Sequence, residues 1–152
     1  MWKKIKPYVI SVSIALGVGA LSALVTKDGM REFENVIQPA LSPPMWLFPV
    51  VWTILFTLMG ISAARVYKKG GTRNELILYA ISLAINFFWP VIFFNMRDYM
   101  FAFVWLAVLW IWVVYTAYRF YKADKAAGLL MLPYILWLTF ALYLNYAIWT
   151  LN

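Results

Sequence analysis

The sequence predicts an all-α polytopic membrane protein, a single domain over residues 1–152 built as a bundle of five transmembrane helices. Three observations predict it. Hydrophobic residues make up 65% of the chain and charged residues only 12%, where an ordinary soluble domain has roughly a quarter charged. Mean hydropathy is +0.78, so a water-soluble globule of this length would lack the polar surface to cover its core. The apolar residues also fall into runs of about 20, the length a helix needs to cross hydrocarbon with every backbone group paired.

The first helix spans about residues 7–26. Lys3, Lys4 and Lys6 precede it, a pattern shared with cleaved signal peptides, but the apolar run reaches Val25 and exceeds a usual signal core. The second helix, about 44–67, begins at a Pro43-Pro44 pair that suits a helix start. The third, fourth and fifth cover about 75–94, 99–121 and 128–151. Lys and Arg are absent from the helix middles, with Arg65 and Arg119 close enough to the ends to snorkel.

The connections KKGGTRNE, NMRDY and KADKAAG are short and join antiparallel neighbours. The first connection, 27–43, contains Pro39 and Pro43 and is longer than closure requires. Its length makes it a candidate lid, the alternative being an inert surface loop. Five spans place the termini on opposite sides. Ten basic residues (Lys3, Lys4, Lys6, Arg65, Lys68, Lys69, Arg73, Arg119, Lys122 and Lys125) share the amino-terminal side, against Lys27, Arg31 and Arg97 on the other. The positive-inside rule then puts the amino terminus inside, and the carboxyl terminus and long loop outside. With no transit peptide evident, a bacterial-type cytoplasmic membrane is expected.

A net charge of +7 would suggest nucleic acid in a soluble domain. Here the basic residues sit between apolar runs, so they mark loops beside anionic lipid, and no nucleic-acid partner is expected. Cysteine and histidine are absent, which excludes disulfides, thiolate nucleophiles, Ser-His-Asp triads, zinc sites and His-ligated haem. No ionisable residue lies mid-span, which argues against a proton-coupled pump. Asn86 and Asn145 are the main polar residues within spans, and as interhelical glue each would contribute about 1 kcal/mol.

Aromatic placement carries more information, because residues at i, i+3 and i+4 share a helix face. Pro49, Trp52 and Phe56 form one stripe, Asn86, Trp89 and Phe93 a second, and Trp137 and Ala141 a third with Leu144 below. Turned inward, the three stripes would wall a flat apolar pocket with a few hydrogen-bonding groups. Turned outward, they would be core or lipid-facing residues, as Trp2, Trp46 and Trp149 are expected to be in the interfacial belts. Gly60 with Ala64, Ser13 with Gly17, and Gly19 with Ala23 fit the small-xxx-small pattern of close helix packing, within the bundle or, as the alternative, at a homodimer face.

Across all five helices the motifs resemble the tryptophan-rich sensory protein or translocator protein family (TspO/MBR, peripheral-type benzodiazepine receptor). They are SPPMWLFPVVWTILFTLMGISA, NFFWPVIFF and PYILWLTFALYLNYAIWTLN. The resemblance implies a membrane protein, often dimeric, whose pocket beneath the first loop binds porphyrins, haem-related tetrapyrroles, sterols and isoquinoline or benzodiazepine ligands. A porphyrin would be a ligand, with no cofactor required. Carried over by position, the pocket comprises Phe33 and Pro43 from the loop, Phe48, Trp52 and Phe56 from the second helix, Asn86, Trp89 and Phe93 from the third, and Trp137 and Ala141 from the fifth. The chain departs from the family in two places. It has Glu32-Phe33 and Gln38-Pro39-Ala40-Leu41 where many members carry a Trp-Tyr pair and a K-P-x-W segment, and Thr150 where the animal sterol motif ends in Arg. The resemblance leaves three activities open: ligand sensing, light- and oxygen-dependent porphyrin degradation, and transport of a porphyrin or small solute.

Overall fold

The structure, a computed structural model, describes residues 1–71 and 73–152. It contains α1 (Trp2–Phe33), α2 (Leu47–Lys68), α3 (Arg73–Pro90) continued by a π-helical turn (Val91–Asn95), α4 (Tyr99–Ala123), α5 (Lys125–Leu130) and α6 (Leu132–Leu151). Among the described residues five helical stretches are long and apolar enough to cross a membrane, α5 and α6 forming one of them. The spans close a ring in which α1 packs on α2, α2 on α5, α5 and α6 on α4, α4 on α3, and α3 back on α1.

Several boundaries differ from the sequence expectation for reasons local to each. At about 1.5 Å per residue, α1 is roughly 48 Å long and outreaches a hydrocarbon core of about 30 Å. Residues 27–33, expected in the loop because hydropathy falls, continue the helix because tertiary contacts hold them. Ser22 Oγ donates to the Phe87 carbonyl at 3.1 Å and Asn95 Nδ2 to the Val25 carbonyl at 3.1 Å, while Arg97 pairs with Glu32. Gly29 lets the Phe94 backbone approach, since a Cβ there would lie 2.7 Å from the Phe94 carbonyl oxygen. The connection is therefore 34–46 rather than 27–43.

Prolines shape two of the three remaining differences. Pro90 has no N–H to return to Asn86, and the helix widens into the π turn immediately after it. Pro133 opens α6 in the first turn, where a missing donor is tolerated, and the fifth span breaks at Met131. KADKAAG, expected as a loop, is mostly helical: Asp124 separates α4 from α5 and caps α5 by accepting from Ala127 N at 3.2 Å.

Arg65 and Arg119 do not simply snorkel. Arg65 Nε donates to Asp124 at 2.6 Å and Arg119 Nη2 to Glu75 at 2.7 Å. Each closes a pair between spans at the amino-terminal end. On α4, Trp105 and Trp112 donate to the Ile85 and Leu78 carbonyls at 2.8 and 2.9 Å. Both pairs keep one antiparallel register, so the indoles clamp α4 to α3 two turns apart.

Packing divides the bundle into two halves. The centre of the amino-terminal half is filled by Met59, Val66, Leu109, Val113, Phe120 and Met131, and its open space lies at the side, between α1 and α3. Gly60 permits the α1–α2 crossing there, since a Cβ would lie 2.5 Å from Val12 Cα. Ser13 and Gly17, by contrast, are exposed and a Cβ on Gly17 would meet nothing within 4 Å, so this small-residue pair faces outward and not into the bundle. In the far half the backbone of α2 stays close to α1 but stands off that of α6, the two joined only through aromatic side chains, and a hollow opens beside them.

Candidate functional site

The hollow is a cavity of about 440 Å³ bounded by α1, α2, the third span, α6 and the connection 34–46, within the range of roughly 300–1,000 Å³ typical of small-molecule sites. All three aromatic stripes turn toward it. Phe48 and Trp52, one turn apart at the start of α2, stand edge-on to Trp137 of α6 with ring centroids 5.9 and 6.5 Å away. Trp52 also tilts against Phe56 at 5.6 Å and meets Tyr134 edge-on at 6.2 Å. Opposite them, Trp89 stacks on Phe93 at 5.0 Å with 28° between planes.

Phe93 lies in the π turn and is 3% exposed. The widened turn brings Phe93 and Phe94 together, and Phe33 packs against both at 5.4 and 5.3 Å. Phe33 is the last residue of α1 and not a loop residue, so the roof at this corner is set by helix packing. Ala141 keeps the α6 wall low between Trp137 and Asn145.

The polar groups are few and already engaged. Asn86 Nδ2 donates to the fully buried Tyr134 hydroxyl. Trp89 Nε1 donates to Asn145 Oδ1 at 3.1 Å, and Asn145 Nδ2 donates to the Tyr99 carbonyl at 2.9 Å. Both amides join helices, as their glue reading holds, and both also line the cavity. Among the described residues no ionisable side chain does, so those that line the site can stack and enclose but supply no acid–base pair.

Nine of the ten expected site residues line the cavity: Phe33, Phe48, Trp52, Phe56, Asn86, Trp89, Phe93, Trp137 and Ala141. Pro43 does not. It sits in non-helical chain between the turn ending at Ser42, whose N–H donates to the Pro39 carbonyl at 3.1 Å, and the turn beginning at Pro44. Its neighbours Ser42 and Met45 line the cavity instead.

Sequence reasoning missed the α1 wall of Leu16, Gly19, Ser22, Ala23 and Met30. The Gly19-xxx-Ala23 pattern was the available signal. Its small side chains leave room for the Phe56 ring, which a Cβ on Gly19 would meet at 2.6 Å. Exposed Ala20 and Ala23 of α1 face exposed Pro49 and Thr53 of α2, so the cavity reaches the bundle's outer surface along this edge.

The family model for TspO/MBR matches residues 10–150. The tryptophan-rich protein TspO of Chlorobaculum tepidum is 38% identical over 157 aligned positions, covering 100% of this chain and 99% of that protein. The tryptophan-rich sensory protein of Cereibacter sphaeroides is 38% identical, covering 91% and 87%. Human translocator protein is 32% identical, covering 99% and 91%. With matches of this length in bacteria and animals, and five apolar helices throughout, the chain is an integral multi-pass membrane protein and belongs to the TspO/MBR family.

Proposed function

We propose that the protein is a membrane receptor for planar apolar molecules, with tetrapyrroles such as protoporphyrin as the ligand class and isoquinoline- or benzodiazepine-like compounds as synthetic occupants. The observation that carries this reading is the pair of facing aromatic walls, Trp52–Trp137 on one side and stacked Trp89–Phe93 on the other, across a cavity without ionisable lining. Flat π faces favour flat ligands. Burial is favourable by about 25 cal/mol per Å² of apolar area less the ordering cost, which suits micromolar binding at about −8 kcal/mol.

The same features favour binding over acid–base catalysis, and the absence of charged residues at mid-span gives alternating-access transport little support. The edge between Ala20, Ala23, Pro49 and Thr53 offers a ligand dissolved in the bilayer a lateral way in. In this reading the basic amino-terminal end faces the cytoplasm and the cavity opens near the outer leaflet. The outward Ser13–Gly17 pair is the face available to a second copy.

The test is a titration with protoporphyrin followed by tryptophan emission. Quenching that saturates at micromolar ligand and weakens at least tenfold in Trp137→Ala supports the proposal. Quenching no greater than that of an unrelated membrane protein overturns it.

A further inference from the structure

A second hollow lies on the other side of the bundle, at the amino-terminal end, and the aromatic cavity plays no part in it. It is a furrow of about 570 Å³ between α1 and α3, floored by Ala63 and Ala64 of α2. At the far end α1 is held to the third span by the Ser22–Phe87 and Asn95–Val25 hydrogen bonds. Toward the amino terminus the small floor residues leave the space between the two helices unfilled. Its walls are mainly apolar, with Ile10 and Ile14 on α1, exposed, and Leu76 and Leu83 on α3, while Ser11, Tyr67 and Tyr79 add polar atoms to the lining. Lys3 and Lys6 line its mouth one turn apart.

Charge identifies the occupant. The amino-terminal end carries ten basic residues and two acidic ones, Glu75 and Asp124, while the far end carries three basic and four acidic. Both acidic residues face arginines, Arg119 and Arg65. Lys3 and Lys6 make no ion pair among the described residues. An apolar furrow running along the membrane-spanning helices, with two available ammonium groups at the level where a span leaves the hydrocarbon, matches one molecule already present in the bilayer.

We infer that this furrow binds an anionic phospholipid, with an acyl chain along Ile10, Ile14 and Leu83 and the headgroup phosphate between Lys3 and Lys6. The site is separate from the aromatic cavity and does not depend on its ligand. Ala80, exposed in the α3 wall, leaves the chain its room.

Native mass spectrometry of the full chain from mixed micelles tests this with phosphatidylglycerol and phosphatidylcholine as probes. Phosphatidylglycerol is expected to be retained preferentially. A lysine near an anionic surface contributes about a five-fold effect, so Lys3→Gln with Lys6→Gln should lower retention by about 25-fold. Lys122→Gln with Lys125→Gln, at the same end on α4 and α5, should leave it unchanged. Ala80→Trp keeps both lysines but fills the furrow, and should also release the lipid. Equal retention of the two lipids, equal losses from both lysine pairs, or a second copy of the chain filling the furrow in phosphatidylglycerol micelles would each overturn the inference. Porphyrin quenching on the same samples reads the aromatic cavity separately and should not respond to these substitutions.

Discussion

The Trp89 indole N–H of the third span donates to Asn145 Oδ1 of α6 at 3.1 Å, across 56 residues of sequence. Asn145, 1% exposed, passes the link on to the Tyr99 carbonyl. One carboxamide therefore holds the stacked wall of the cavity against two other helices.

Asn145→Leu keeps the bulk but leaves the Trp89 indole and the Tyr99 carbonyl without this partner. The expected loss is about 1 kcal/mol, the scale of an interhelical hydrogen bond in a membrane. It should appear as a lowered unfolding midpoint in detergent, together with a shift in Trp89 emission. Trp89→Phe retains a ring at the wall and should lose a similar amount, and the double variant little more.

Gly19→Leu should block the cavity. Its Cβ would already meet the Phe56 ring at 2.6 Å, and the rest of the side chain would extend along the α1 wall. Porphyrin affinity should fall at least tenfold in the emission titration, while helicity measured by circular dichroism stays at the wild-type level.

The connection 34–46 is held from the end of α6. Asn152 Oδ1 accepts from Ile37 N at 3.2 Å and its Nδ2 donates to the Ile37 carbonyl at 2.9 Å. Asn152→Ala removes both bonds. Hydrogen exchange across residues 36–42 should accelerate, and bound porphyrin should dissociate faster with little change in its association rate.

The Arg65 guanidinium, by its hydrogen bond, holds the Asp124 carboxyl below its ordinary value. The stability this contributes is complete above the unfolded carboxylate pKa of about 3.9 and is lost as pH falls through the lower folded value. The wild-type unfolding midpoint should therefore drop between pH 5 and pH 3 by more than that of Asp124→Asn. The asparagine still caps α5 but carries no titrating charge.

Hydropathy and charge alone determined the membrane class, the number of spans and which end is basic, because a bilayer imposes one length and one polarity rule on every crossing segment. Helical spacing also brought Trp52 with Phe56, and Trp89 with Phe93, onto shared faces. Which way those faces turn was a tertiary decision. They face a hollow because α2 packs on α1 and α5 but stands off α6, and because Gly19 admits the Phe56 ring. The extension of α1 to Phe33 was likewise invisible to hydropathy, since residues 27–33 include four charged side chains and stay helical through contacts with a π turn that Pro90 creates about 60 residues away. Local spacing fixes what a face contains, whereas the direction it points depends on contacts between segments remote in sequence.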